Sequence, residues 1–373
     1  MKNRLFLLML LVALSSAAPA HARPPSSGPP PVGHVFVVFL ENENADVTFA
    51  PDSPAPYLSQ TLPGQGAFIP EYYGVTHLSL GNYTGFVSGQ GSNPQTQADC
   101  QIFSEFVGGL IGPDGQALGD GCVYPSTVKT VADQLVARGM TWKGYMEDMG
   151  NDPTRESGLC GHPPLNFRDN TQTATADDQY AARHNPFIYF HSIIDDNYYC
   201  EQHDVPLTRL PADLAKARNT ANFNFITPDL CNDGHDEPCT NGEPGGLVSA
   251  DAWLREWVPR ITGSPAFKRD GLLLITFDEA EAEGATADAS ACCNQAQFPN
   301  TPNNGGPTPG RGGGRVGAVA LSPFIRPGTV SNHPYNHFSA LRTVEQLFGL
   351  PLLGYAGSPD PGSFGADVFS GYW

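Results

Sequence analysis

Two polar pairs, Glu41-Asn42 and Asp278-Glu279, each follow a continuous apolar run, His34-Val-Phe-Val-Val-Phe-Leu40 and Gly271-Leu-Leu-Leu-Ile-Thr-Phe277. Runs of this length suit strands buried on both faces, as in the parallel sheet of an α/β protein. Polar groups at the carboxyl ends of such strands sit where open α/β sheets bind ligands. Bringing Glu41, Asp278 and Glu279 to one sheet edge sets like charges side by side, and a cation or a proton must offset them. All four residues offer hard oxygen donors, which points to Mg²⁺, Ca²⁺ or Mn²⁺ rather than Zn²⁺. The alternative is a pair of strands that simply end in separate polar loops.

A second candidate is Ser79, in Thr76-His-Leu-Ser-Leu-Gly-Asn-Tyr-Thr-Gly-Phe-Val-Ser-Gly89. A serine opening a helix meets free N–H groups and the positive end of the helix dipole, which favour an alkoxide or a phosphate. A nearby metal ion would lower the hydroxyl pKa further and make Ser79 a nucleophile. The bland reading is an ordinary helix cap. Asn82 begins the triplet Asn82-Tyr-Thr84, which also fits a glycosylation sequon. His235, in Asn232-Asp-Gly-His-Asp236, is a metal ligand, a general acid or a salt-bridged surface residue. His184 before Asn-Pro-Phe, His337 at the start of a C-terminal helical pattern, and His77 beside Ser79 complete the set.

The elements that must position these groups alternate in period. Ala67–Tyr73 reads as a short strand and turn, Val128–Arg138 as a helix ending at Gly139, and Thr141–Tyr145 as a strand. Asn151–Asp178 is a polar surface excursion. Asn185–Phe190 and Asn222–Ile226 read as short aromatic strands, and Ala250–Arg260 as an amphipathic helix. Glu281–Gly314, rich in Gly, Asn and Pro, is a long loop of the kind that is functional or mobile. Arg315–Leu321 reads as the last sheet strand and Asn336–Phe348 as a C-terminal helix. The expected organisation is a signal segment over 1–22, a Pro-rich leader over 23–33, and one largely parallel α/β domain over 34–373.

Lys2 and Arg4, the apolar run Leu5–Leu14 and Ala20-His-Ala22 make a secretory signal pattern, which sends the chain to the periplasm or the cell exterior. No later run is long enough to span a bilayer. Eight cysteines suit an oxidising destination. Closeness in sequence favours Cys100–Cys122 and Cys231–Cys239. No CxxC pair indicates structural zinc. With 20 basic against 38 acidic residues the net charge is −18, which excludes non-specific nucleic-acid binding and gives no attraction to anionic membranes.

FLENENAD, THLSLGNYTGFVSG, VADQL…TWKGYMEDM, RHNPFIYF, ITPDLCNDGHD, LLLITFDEA and YNHFSALRTVEQLFGL occur in that order between residues 34 and 350. Together they resemble the bacterial and fungal phosphoesterase family of secreted acid phosphatases and phospholipases C. The resemblance implies an alkaline phosphatase-like α/β fold. It implies a metal held by Glu41, Asn42, Asp278 and Glu279, and a nucleophile ten residues before Gly89, at Ser79, which also touches the metal. It makes His235 the contact to the phosphoryl group, and the expected substrate-binding set is Asn82, His184, His337 and His77. Gly81 stands where relatives often carry proline, which leaves the turn intact. Phospholipase members are typically longer, so the short phosphatase branch fits better. The implied activity is hydrolysis of phosphate monoesters, with phospholipase C-type cleavage of lipid headgroups as the alternative. A histidine near pKa 6.5 would favour mildly acidic pH. A non-catalytic cation- or glycan-binding exoprotein is the remaining reading.

Overall fold

A computed structural model describes residues 28–158 and 160–372. The expected signal segment and residues 23–27 of the leader lie outside them. Eight strands form the main sheet: β1 (His34–Leu40), β2 (Ala67–Ile69), β3 (Trp142–Met146), β4 (Asp204–Pro206), β5 (Phe223–Thr227), β6 (Gly271–Phe277), β7 (Ala318–Leu321) and β8 (Thr329–Val330). Their order is β8-β2-β7-β6-β1-β5-β3-β4. The run from β6 to β4 is parallel throughout, and β7 is antiparallel to both of its neighbours.

β1 lies near the middle of this sheet because Val35–Leu40 are all apolar and can be covered on both faces, while His34 at its start pairs with Asp270; all of β1 and all of β6 is buried. Phe36 meets Phe267 on one face. Phe39, three residues on and therefore on the other face, packs against Tyr83, Phe86 and His337. Those three belong to helices α1 (Ser79–Ser88) and α4 (His337–Phe348). Between them in sequence run α2 (Val131–Ala137) and α3 (Gly246–Gly263). Helices on both sides of a mostly parallel sheet make the α/β class expected from sequence.

Several boundaries differ from expectation. α2 starts at Val131 rather than Val128, because Thr130 forms a capping box with Asp133. Asn185–Phe190 is not a strand: Pro186 lacks an N–H, and Pro186–Tyr189 turns as a 3₁₀ helix. The strand expected from Arg315 shortens to β7 and is not the last, since β8 follows it. Between Ala280 and Gly314 the chain forms no helix or strand.

All eight cysteines are paired. Cys100–Cys122 and Cys231–Cys239 form as expected, and Cys160–Cys200 and the adjacent Cys292–Cys293 complete the set. No helix among the described residues is long and apolar enough to cross a membrane.

Candidate active site

β1 and β6 pair in parallel with Leu40 opposite Phe277, so Glu41 and Asp278 leave the sheet side by side. Asn42 then takes a left-handed conformation, φ 51°, which asparagine tolerates better than most residues. Its N–H donates to Asp278 Oδ1 at 3.1 Å, and Glu279 N–H donates to the same oxygen at 2.6 Å. The second Asp278 oxygen, Glu41 Oε1 and Asn42 Oδ1 are all buried and have no hydrogen-bond partner. Two of these atoms belong to carboxyl groups, which can bond each other only when one of them holds a proton. Burial and the Glu41 charge push the Asp278 carboxyl well above its usual range. Burial works against ionisation of Glu41 too, yet His184 holds its carboxyl below the usual value.

Ser79 reaches the same place from the other direction. It is the first residue of α1, whose residues are all buried. Asp99 accepts Leu80 N–H at 3.0 Å and so caps this helix end. A cavity of about 400 Å³ joins Ser79 to Glu41, Asn42, Glu279 and His235. Asp99, Gln172, Arg183, Glu281 and Glu283 also line it. Arg183 is buried, with Nε 4.0 Å from Asp99 Oδ2.

His235 sits at the rim with its side chain 44% exposed, and its Nδ1 lies 3.2 Å from Asp236. The Asp236 hydrogen bond pushes its pKa up to about 9 against the opposing effect of burial. His235 is therefore protonated through neutral pH, and the mildly acidic optimum expected from an ordinary histidine does not follow from it.

The remaining predicted residues surround the cavity without lining it. His184 stacks on Tyr83 with ring centroids 5.1 Å apart, and its Nε2 lies 3.0 Å from Glu41 Oε1, outside hydrogen-bond geometry. Its Nδ1 is 3.4 Å from Asp233 Oδ2. His184 thus braces Glu41 and Asp233. His337 is fully buried, bonded to Tyr72 and, at 2.5 Å, to the carbonyl of Asp278. Burial pulls its pKa down to about 4, so it is a neutral prop behind the strand end. His77 bonds the Glu279 carboxylate through Nδ1 and the Asp288 carbonyl through Nε2. Its ring orients Glu279 instead of reaching into the cavity.

Asn82 differs most from its expected part. Its Oδ1 accepts the N–H groups of Val75 and Thr76, at 2.8 and 3.1 Å, and its Nδ2 donates to the Thr76 carbonyl at 2.9 Å. The amide is committed to the segment that precedes Ser79. Asn82→Ala is expected to lose roughly 2–4 kcal/mol of stability, at about 1 kcal/mol per hydrogen bond plus the unpaired buried groups left behind. Steady-state kinetics should show kcat falling with KM little changed; a selective rise in KM would restore Asn82 to substrate binding.

The long 281–314 segment closes the site from behind. Asn304 O accepts His77 N–H at 3.2 Å and Thr76 Oγ1–H at 2.8 Å. Gln295 Nε2 donates to the Val75 carbonyl at 2.6 Å. Gly306 has φ 57°, and a Cβ there would lie 2.5 Å from the His77 carbonyl oxygen. The loop holds the residues before Ser79 through the Asn304 carbonyl and the Gln295 side chain.

The donor set fits a divalent cation in part. Three buried oxygens at adjoining strand ends make no hydrogen bond, one of them 3.0 Å from His184 Nε2, and five carboxylate residues line the adjoining cavity, an arrangement that favours positive charge. Glu279, however, is turned to His77. Among the described residues the one set of three His, Cys, Asp or Glu ligand atoms within 4.8 Å of each other is Cys160, Cys200 and Asp204. Cys160 and Cys200 form a disulfide, so that set is no metal centre.

Residues 55–351 match the model of the Phosphoesterase family. An acid phosphatase of Aspergillus fumigatus is 26% identical over 322 residues, which is 86% of this chain and 55% of that protein. A phosphatidylinositol-3-phosphatase of Mycobacterium tuberculosis is 24% identical over 339 residues, 90% of this chain and 83% of that protein. The chain thus spans little more than half the length of the fungal relative. The solved structure of Ps i-CgsB aligns over 89% of this chain and 75% of its own, at 13% identity and a TM-score of 0.50, a likeness of fold alone.

Proposed function

Because the chain belongs to the Phosphoesterase family, we propose that it hydrolyses phosphate monoesters through a phosphoseryl intermediate on Ser79. One observation carries this reading: Ser79, at a helix N-terminus, shares a cavity with Glu41 and Asn42, whose buried Oε1 and Oδ1 make no hydrogen bond. Glu41, Asn42 and Asp278, with Glu279 beside them, would hold a divalent cation, Mg²⁺, Ca²⁺ or Mn²⁺ by donor type. Such an ion supplies Lewis-acid polarisation of phosphoryl oxygens and a lower pKa for the Ser79 hydroxyl.

The chain's own residues do the rest. Ser79 gives its hydroxyl proton to solvent, and Oγ attacks phosphorus in line with the ester oxygen, whose bond to phosphorus breaks. Arg183 binds the non-bridging oxygens, where charge spreads in a loose phosphoryl-transfer transition state. His235, protonated at the rim, gives its proton to the departing alkoxide. Neutral His235 then takes a proton from the water that attacks the phosphoserine, the Oγ–P bond breaks, phosphate leaves, and Ser79 recovers its proton from solvent. His184, His77 and His337 hold the carboxylates in place.

The N-terminal signal pattern and four disulfides support export to the periplasm or the cell exterior. The substrate is a small phosphate ester, and nucleic acid is no partner for a surface this acidic. Steady-state hydrolysis of an aryl phosphomonoester, an aryl phosphodiester and an aryl phosphorylcholine tests the reading. The monoester should be turned over fastest. Preference for phosphorylcholine would move the enzyme to phospholipase C-type cleavage, and no turnover of any of the three would point to a binding protein.

A further inference from the structure

Six of the eight cysteines are buried, none more than 4% exposed, whereas Cys292 and Cys293 are only partly covered. These two adjacent residues form one disulfide, and they line a surface cavity of about 570 Å³ together with Ala289, Ser290 and Arg311. Thiol–disulfide exchange needs access to a sulfur and is quickened by a cation that stabilises the departing thiolate. The cavity supplies access, and the exposed Arg311 is a cation lining the same cavity.

The disulfide is wired to the nucleophile. Cys293 and Asn294 both hold left-handed backbone, φ 61° and 48°, which asparagine tolerates but cysteine keeps only when its surroundings impose it. The next residue, Gln295, is buried. Its Nε2 donates to the Val75 carbonyl and to the Arg311 carbonyl, each at 2.6 Å. Its Oε1 accepts from Asn336, the residue that caps α4 in front of His337. Val75 lies four residues before Ser79, on the segment that Asn82 also holds. A change of backbone at Cys293 and Asn294 therefore reaches the Ser79 segment through one side chain.

We infer that Cys292–Cys293 is a redox modification site that takes a dithiol reductant, and that its reduction loosens Ser79 and lowers turnover. One thiolate of the dithiol attacks one of the two sulfurs and breaks the S–S bond, giving a mixed disulfide. The second thiolate of the dithiol attacks the reductant sulfur of that mixed disulfide, expels the protein cysteine as a thiolate, and the reductant leaves as the cyclic disulfide. Two electrons and two protons pass to the protein, and Cys292 and Cys293 become thiols. The freed backbone releases Gln295 from Val75. The effect on turnover rests on Ser79 being the nucleophile; the order of reduction does not.

Titration of the native protein with dithiothreitol, followed by maleimide labelling and peptide mapping, tests the site. Cys292 and Cys293 should label before the other six, and kcat for an aryl phosphomonoester should fall about ten- to a hundredfold, with KM little changed. Reoxidation should restore it. Amide exchange at Thr76 and His77 should quicken on reduction, a readout that holds even for a chain that hydrolyses no ester. The Cys292→Ser/Cys293→Ser variant should have the low activity from the start and no response to the reductant; its thermal melting shows whether it is folded. Earlier labelling of a buried pair, or full activity and unchanged exchange with both cysteines labelled, would overturn the inference.

Discussion

Ser79→Ala is expected to lower kcat/KM for an aryl phosphomonoester by on the order of 10³–10⁶-fold, the range set by loss of an activated nucleophile. The fold should survive, because α1 keeps its Asp99 cap and its buried face. Alanine also has high helix propensity, so Ser79→Ala does not weaken α1 from within. Thermal melting within a degree or two of wild type, alongside lost turnover, would separate chemistry from stability. Retention of more than a tenth of the activity would remove Ser79 from the mechanism and leave Arg183, His235 and the carboxylates to act on water directly.

The second large effect is removal of divalent cation. Without a cation, Glu41 and Asp278 face each other as buried carboxylates, and one must hold a proton. Chelation should abolish turnover and lower the melting temperature, and Mg²⁺, Ca²⁺ or Mn²⁺ should restore both. A cation at a hundredfold excess over its Kd contributes about 2.7 kcal/mol. Asp278→Asn gives the sharper test. It removes the need for that proton, so the chelated variant should melt higher than chelated wild type, while its response to added cation is lost. A variant that still gains stability from the cation would place the ion elsewhere.

The strand ends were legible because their signal is local. β1 and β6 are continuous apolar runs, and the polar residues after them stand at a sheet edge in any parallel arrangement. Ser79 was legible for the same reason, as a serine before a helical pattern. Arg183 and Asp99 were not assigned, because their part depends on tertiary closure. Asp99 reaches the α1 end from twenty residues away, beside the Cys100–Cys122 disulfide. A signal for Arg183 did exist: a basic residue next to His184 in a chain with few basic residues. The histidines misled in the opposite sense. His77 stands two residues before Ser79 and His337 opens a helix, but their rings bond Glu279, Tyr72 and backbone carbonyls behind the site, and Asn82 turned inward to its own loop. Adjacency in sequence marks the neighbourhood of a site, whereas burial decides which atoms face the substrate.

The most direct test of the central claim is to trap the intermediate. Acid quench during turnover of an aryl phosphomonoester, followed by peptide mass spectrometry, should find one phosphoryl group on Ser79. Turnover with the phosphoryl group on another residue, or on none at any quench time, would contradict it.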